Sequence, residues 1–488
     1  MSIYNLEDNR MLCWDDFLLD KSENMEIRMH KPTPRDLAIV CDGQWDGIHN
    51  SYGTVAKVGD KYYFWQRSAN SLLCPGNCWG KVFPSTYTVY ESLDGKHFKK
   101  KWVDKHIFNG KLHNNIFFNE NRDNFSVCYD ENPDCPPEEK FKGFAMGGGE
   151  GHPQDDGPHG LYMFVSPDGI NFEPRGRLDL PGSFDSYNIA FWDKDIGKYR
   201  IYYRGERTKN AEAEDFDVVN KSANIIREIR TATTSDFKTF DIHGEIDYEE
   251  GKEVMQLYTS QAVKYERAKD MYIALPMRYN ERWNSMDNLK HMPQWDMRNF
   301  VIEGTGRGGT AFTDTLLMTS RDGTSFKRWD ESFLKPYGEF RWWYGDGSVA
   351  RGIYETESDV QNAPNELSFL AVENYRTDIV NWRRYTMRLD GFVSWYSKYS
   401  GGEAITKPFT FKGSELELNF ETGAMGTLIV TVCDENGKEL EGYKTCELFG
   451  DAINRPAVFE KELKELEGKP IRLKFYLKDC DLYSFKFN

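Results

Sequence analysis

Carboxylates and arginines recur in this chain where short strands start and stop, and that placement gives them chemical meaning. Near the starts of apolar strands stand Trp45-Asp46-Gly47, His113-Asn114, Phe184-Asp185-Ser186-Tyr187-Asn188, Gln256-Leu257-Tyr258-Thr259 and Tyr344-Gly345-Asp346. At the ends of the strands that follow stand Gln66-Arg67, Met146-Gly147, Arg204-Gly205-Glu206, Met277-Arg278 and Glu373-Asn374. Carboxylates gathered in one place repel, so some hold their protons to higher pH while arginines nearby keep others ionised. A protonated carboxyl beside an ionised one is what cleavage of a glycosidic bond requires: one protonates the leaving oxygen, the other serves as base or nucleophile. Asp46 and Asp185 are the expected catalytic pair. Glu373 is the expected general acid, because it closes the apolar run Leu367-Ser-Phe-Leu-Ala-Val372, with Glu253 and Glu339 as substitutes. Arg67, Arg204, Arg278 and Asp346 are expected to bind substrate, with Trp45, His49, His113, Asn188, Tyr258 and Trp343 completing the pocket.

The elements that must bring these residues together are written in two repeated phrases. The first is a hairpin turn: Ser92-Leu-Asp94-Gly95, Ser166-Pro-Asp168-Gly169, a shortened Ser235-Asp236-Phe237, and Ser320-Arg-Asp322-Gly323. Gly supplies the left-handed turn position, and the Ser and Asp side chains can satisfy turn amides. The second is a turn running into an aromatic strand, as in Gly59-Asp-Lys-Tyr62, Glu139-Lys-Phe141, Gly197-Lys-Tyr199, Lys269-Asp-Met-Tyr272 and Asn365-Glu-Leu367. Each is preceded by a more apolar strand: Tyr52–Ala56, 115–118, 188–192, 259–263 and 347–350. Strands at short, regular spacing without long helices between them point to an all-β fold, a five-bladed β-propeller over 1–397. Its last blade would use 384–395, with an N-terminal strand near 25–30 beside it. After Gly401-Gly402 the strands alternate apolar and polar residues, as in 427–432 and 471–477, and 398–488 reads as a β-sandwich with an accessory role.

Composition narrows the partners. Against 62 basic residues stand 78 acidic ones, a net charge of -16, which opposes nucleic acid and an anionic membrane surface. No stretch approaches the roughly 18 apolar residues of a membrane helix, the start lacks the order of a secretory signal, and nine cysteines suit free thiols. The expected location is cytoplasmic, the expected partner a carbohydrate, and a homo-oligomer is left open. No cofactor and no metal are expected: Cys74 and Cys78 read as ordinary thiols, and His152, Asp155, Asp156 and His159 are too loosely spaced for a ligand set. The glycines of 147–151 and 304–309 lack the strand-to-helix context of a phosphate cradle.

The repeats, Phe184-Asp-Ser-Tyr-Asn188 followed by Phe191-Trp-Asp193, and Tyr385-Thr-Met-Arg-Leu-Asp-Gly-Phe-Val-Ser394 with a trailing sandwich resemble the five-bladed propeller glycosidases, most closely bacterial proteins similar to glycoside hydrolase family 32. The resemblance covers nearly the whole chain, extends to family 43, and implies a nucleophile or base Asp on the first blade, a stabilising Asp on the third, and a Glu as acid. Asp46 and Asp185 match the first two by blade. The Asn-Asp-Pro-Asn-Gly motif of fructan-cleaving relatives is replaced by Trp45-Asp46-Gly47, so fructan specificity does not carry over. The expected activity is removal of a terminal sugar, for instance a furanoside. A noncatalytic sugar-binding propeller is the rival. A sialidase-like enzyme for an anionic sugar is subordinate, since those enzymes use six blades and a Tyr nucleophile.

Overall fold

The computed structural model describes residues 3–68, 85–119, 122–148, 158–212, 224–249, 251–305, 309–377 and 379–488. Cys74, Cys78, His152, Asp155 and Asp156 lie outside the described residues, as do two of the four glycines of 147–151 and two of those of 304–309. The chain is almost entirely β, built from several small antiparallel sheets and one large one.

The hairpin phrase does what its chemistry predicts. In the first copy Ser92 Oγ accepts the amides of Asp94 (3.3 Å) and Gly95 (3.0 Å) while Asp94 Oδ1 accepts those of Lys96 (2.8 Å) and His97 (3.0 Å). Ser166/Asp168 and Ser320/Asp322 repeat the pattern. In the shortened copy the hydroxyl comes from Thr234, not Ser235, and Phe237 occupies at φ 58° the position that Gly95, Gly169 and Gly323 hold elsewhere. These local closures pin each hairpin before any long-range contact forms, so the same sheet can be built repeatedly from different strand residues.

The first small sheet runs Ser51–Val58, Lys61–Ser68, Thr86–Ser92; the second Asp123–Tyr129, Phe141–Gly147, Gly160–Ser166, Glu173–Arg177; the third Ile189–Asp193, Lys198–Thr208, Ile225–Thr234, Asp241–Glu245. A fourth region is split, with Met277–Glu281 between Gln256–Leu257 and Ala311–Thr315 in one sheet and Tyr272–Ala274 between Val263–Lys264 and Met318–Ser320 in another. The last small sheet orders Tyr354–Thr356, Glu366–Glu373, Asn381–Arg388 and Thr33–Val40. First strands touch in sequence, Ser51–Val58 against Asp123–Tyr129 and that against Ile189–Asp193. The segment around Val349 pairs with Ala371 on one side, and Thr54 bridges Arg351 on the other, joining the last small sheet to the first.

Three expectations are corrected. Ile116–Phe118 is not the inner strand of the second sheet; it pairs with Thr86–Ser92 at the outer edge of the first, and Asp123–Tyr129 takes the inner place. The strand beside Asn381–Arg388 is Thr33–Val40, while Glu26–Met29 pairs with Val393–Ser397. That second pair belongs to the large sheet, which has eleven strands and takes in Tyr4–Glu7, Arg10–Leu12 and Leu19–Glu23 as well. Residues before 30 therefore join the C-terminal unit, because Leu6, Met11, Cys13 and Leu18 supply apolar faces to the core of Phe409, Leu418, Phe475 and Phe485. All the strands of this unit are linked in one hydrogen-bonded network through two long paired strands, Leu416–Asp434 and Ile471–Phe487.

A helical insertion is also absent from the sequence reading. Helices α1 (Met286–His291) and α2 (Trp295–Thr305) interrupt Met277–Glu281 and Ala311–Thr315. Pro293 and Asp296 mark the start of α2, and Leu289 and Val301 are its buried anchors with α1. No helix is long and apolar enough to cross a membrane among the described residues.

Candidate functional site

Strand ends from different sheets meet in a cluster of tyrosines and arginines. Tyr52 begins the inner strand of the first sheet in the left-handed region, φ 54°, a costly setting for an aromatic residue that turns its ring toward the neighbouring sheets. The Arg67 guanidinium lies 4.5 Å from the centre of that ring and donates to Ser51 Oγ (2.7 Å), Asn124 Oδ1 (2.8 Å) and the Tyr375 hydroxyl (3.3 Å). From the third sheet Arg204 sits 4.6 Å over Tyr258, and Arg227 4.4 Å over Tyr279. Tyr344 stands 5.6 Å from Tyr258, 5.7 Å from Tyr279 and 6.3 Å from Tyr375, with Arg376 5.4 Å over its ring. His49 stacks on Tyr375 at 5.3 Å. Burial, with Arg376 and Arg67 adding to it, pushes the His49 pKa well down, so this imidazole is neutral.

Carboxylates border the cluster in two settings. Asp185 is exposed, and Arg204 reaches its backbone carbonyl at 3.4 Å. Glu206 pairs with Arg204 at 3.3 Å, and Glu281 accepts from the Tyr279 hydroxyl (2.6 Å) and the Trp283 indole (2.8 Å). Deeper, Asp346 follows Tyr344 and Gly345 and accepts from the backbone amides of Tyr375 and Asn374. It is buried, burial raises its pKa well above the usual carboxylate range, and its Oδ2 has no hydrogen-bond partner among the described residues. Glu373 nearby adds to that shift by repulsion. Glu373 itself is clamped by Arg341 (2.6 Å), Arg383 (2.8 Å) and the Tyr385 hydroxyl (3.1 Å). The strand does bury Glu373, as expected, but delivers it to two guanidinium groups.

Other expected site residues are elsewhere. Asp46 is fully buried against the first sheet, accepting from the Gly43 amide (2.7 Å) and the Tyr90 hydroxyl (3.0 Å) with Lys100 4.0 Å away; burial raises its pKa to about 6 against the pull of those partners. It closes its own turn. Trp45 packs on Trp102 and Phe108 and donates to Asn115 Oδ1 at 2.6 Å. His113 pairs with Asp104 and stacks on Trp102, exposed at an outer rim, because its strand belongs to the first sheet's edge. Arg278 is locked to Asp314 by two hydrogen bonds of 2.8 and 2.5 Å. Successive strand residues face opposite sides, so Tyr279, not Arg278, reaches the cluster. Asn188 ties the carbonyls of Phe184 and Ser186 to the Arg204 amide. Trp343 is buried under α2, donating to Gln294 Oε1 at 2.7 Å with Arg298 4.2 Å over its ring. Arg67, Arg204, Tyr258 and His49 do meet in the cluster, joined by Tyr52, Tyr279, Tyr344, Tyr375, Arg227 and Arg376, which the sequence reading passed over.

The insertion also shapes a cavity of about 540 Å³ lined by Leu289, Phe312, Arg282, Ser285, Glu339 and Trp342. Its far wall is the 338–342 segment that carries Arg341 to Glu373. No group of three His, Cys, Asp or Glu residues suited to a metal occurs among the described residues.

No protein-family model matches this sequence, and no curated protein does. Solved structures similar to it include glycoside hydrolases. They include a β-xylosidase at 12% identity, covering 75% of this chain and 98% of that one, with a TM-score of 0.42. A family 43 arabinoxylan arabinofuranohydrolase from Bacillus subtilis, in complex with cellotetraose, shares 12% identity over 91% of this chain and 80% of its own, with a TM-score of 0.30. An exo-β-1,3-galactanase from Phanerochaete chrysosporium, with β-1,3-galactotriose, shares 8% identity over 94% and 100%, with a TM-score of 0.38.

Proposed function

We propose that the small sheets are the five blades of a propeller and that the tyrosine and arginine cluster is the active site of a glycoside hydrolase removing a terminal sugar. The observation that carries this reading is the contrast in surroundings between two buried carboxyl groups, Asp346, whose Oδ2 has no hydrogen-bond partner among the described residues and whose pKa burial raises, and Glu373, which is bound by Arg341 and Arg383. Environments that push neighbouring carboxyls apart are how one site holds an acid and a base at the same pH. Asp346 is then the general acid, with Oδ2 the proton-bearing atom, and exposed Asp185 is the base or nucleophile on the opposite side of the sugar. Glu373 positions the Arg341 segment. Asp46 has no part in the chemistry. Tyrosine rings suit the apolar face of a pyranose or furanose.

The test is hydrolysis of a panel of natural and nitrophenyl glycosides by the wild-type protein, Asp346→Asn and Asp185→Asn. Asp346→Asn should lose at least about a hundredfold in kcat on natural substrates and much less on nitrophenyl glycosides, which depart without protonation. Equal losses on both substrate types would remove Asp346 from the acid role. A second reading, a sugar-binding propeller without catalysis, is favoured by one observation: Asp46, the carboxylate expected on the first blade, is fully buried and accepts from the Gly43 amide of its own turn. Binding of a sugar by calorimetry, with no turnover of its glycosides, would establish that alternative.

A further inference from the structure

The arginines of the cluster differ from several other buried arginines of this molecule in what neutralises them. Arg200 meets Asp193, Arg267 meets Asp390, Arg278 meets Asp314, Arg328 meets Asp330, and Arg321 meets Asp15 and Asp270, whereas Arg298, under the helical insertion, donates to the backbone carbonyls of Pro293 and Trp342. In the cluster, Arg67 donates only to Asn124, Ser51 and Tyr375, and Arg227 donates to Gln256 Oε1 at 2.6 Å. Arg204 has one carboxylate, Glu206, at 3.3 Å, and its Nη1 otherwise meets backbone carbonyls of Asp185 and Tyr258. Arg204 and Arg227 are 3% and 5% exposed, and the Nε of Arg67, Arg204 and Arg227 each lack a hydrogen-bond partner among the described residues. Burying guanidinium groups without matching carboxylates is costly, and tyrosine faces return only part of that cost. Burial and then Arg376 push Arg298 down to about 10, and burial, Arg376 and Arg67 lower His49. In a chain of net charge -16 such a gathering of arginines is a local specialisation.

We infer that this cluster takes a sugar carrying a carboxylate, a uronic or related acidic sugar, whose planar anion is gripped by Arg67, Arg204 and Arg227 while its ring lies beside the tyrosines. The planar fork of a guanidinium matches a carboxylate, and a ligand anion supplies the charge that the protein withholds. The inference deepens the proposed function and rests on the same site, but binding tests it independently of turnover.

The experiment is isothermal titration of the full chain, at fixed ionic strength, with D-galacturonate, D-glucuronate, D-mannuronate and N-acetylneuraminate. Each is compared with its methyl ester, the parent neutral sugars are included, and sodium acetate serves as the anion alone. At least one acidic sugar should bind tenfold or more tighter than its methyl ester and than any neutral sugar, with acetate far weaker than that sugar. Arg227→Gln should bring the acid down to the affinity of its ester. Arg278→Gln, which removes a guanidinium outside the cluster, should leave the preference intact. Equal binding of acid and ester, binding of neutral sugars alone, failure of all four acids, or acetate binding as tightly as the sugar would each overturn the inference. Because the ester comparison uses the unaltered protein, the result holds even if Arg227→Gln fails to fold. A selective acidic ligand whose glycosides are not cleaved would sustain this inference while refuting the hydrolase reading.

Discussion

Replacing Asp390 with Asn should break the molecule where its two units join. Asp390 is fully buried and its carboxylate takes a hydrogen bond from the Tyr265 hydroxyl (2.7 Å), Arg267 Nε (2.8 Å), Ser484 Oγ (2.7 Å) and Asn419 Nδ2 (3.1 Å), with Arg10 at 3.6 Å. Its carbonyl accepts from the Trp14 indole at 2.8 Å. These partners come from the N-terminal strands, the fourth sheet region and the long strands of the C-terminal sheet. Asn keeps the shape but removes the charge, and its NH₂ must face a donor. Arg10, 8% exposed, then keeps its bond to Ser484 Oγ (3.2 Å) but, of its carboxylates, only Glu417 at 3.9 Å. Breaking a buried ion pair by neutralising one partner costs about 3 to 5 kcal/mol, and the partial exposure of Arg267, 22%, places the expectation near the lower end, about 3 kcal/mol. That is a large share of the roughly 5 to 15 kcal/mol that holds a domain together. Urea unfolding followed by tryptophan fluorescence should show it as an earlier midpoint, and Arg267→Gln added to Asp390→Asn should cost little more, because the interaction is already gone. A loss below about 1 kcal/mol, or additive losses in the double variant, would show that the network is not the joint argued here.

Arg278→Gln, which breaks the Asp314 pair outside the cluster, should lower the melting temperature while leaving sugar affinity unchanged; a shift in affinity would place Arg278 in the site after all. Acid should loosen the hairpin turns: turn amides lower the Asp236 carboxyl, and they outweigh burial at Asp168 and Asp322. Groups with lowered folded-state values stabilise above the unfolded carboxylate value of about 3.9, and that contribution disappears as pH falls through the folded-state values. Protection of the Lys238, Ile170 and Thr324 amides against hydrogen exchange, relative to the unfolded chain at the same pH, should therefore fall below about pH 4, and Asp168→Asn should already show the lower protection at Ile170 at pH 7. Trp342→Ala, at the wall of the 540 Å³ cavity, should raise KM for substrates longer than one sugar on the leaving side and leave nitrophenyl glycosides unaffected; equal effects on both would detach the cavity from the site.

The turns were legible because their chemistry is local: Ser or Thr, then Asp, then a left-handed residue, within five positions. The small sheets followed from them. What local chemistry does not carry is register and partner. Arg278 and Tyr279 are adjacent, and only the pairing of Met277–Glu281 with Ala311–Thr315 decides which faces the cluster. Ile116–Phe118 reads as an inner strand by its apolarity, yet its apolar residues serve the edge of the first sheet. Arg227 and Arg376 lie on a third strand and on a turn after a strand, positions a reading of first and second strands does not visit. Asp46 was misplaced because an aspartate that caps its own turn and one that faces a substrate have the same surroundings in sequence.

The pairing of Arg10–Leu12 with the far end of Ile471–Phe487 has a consequence for how the molecule comes into being. As the chain leaves the ribosome, residues before 30 have no sheet to join until nearly all the rest has been made. Thr33–Val40 likewise waits for Asn381–Arg388. Contacts so distant in sequence carry a heavy loop-closure cost and form late. Both the ring of small sheets and the large sheet are thus latched by the same early segment, and completing one draws the other shut. Folding of the two units should be a single late event, with apolar strands of the first residues exposed to chaperones in the interval.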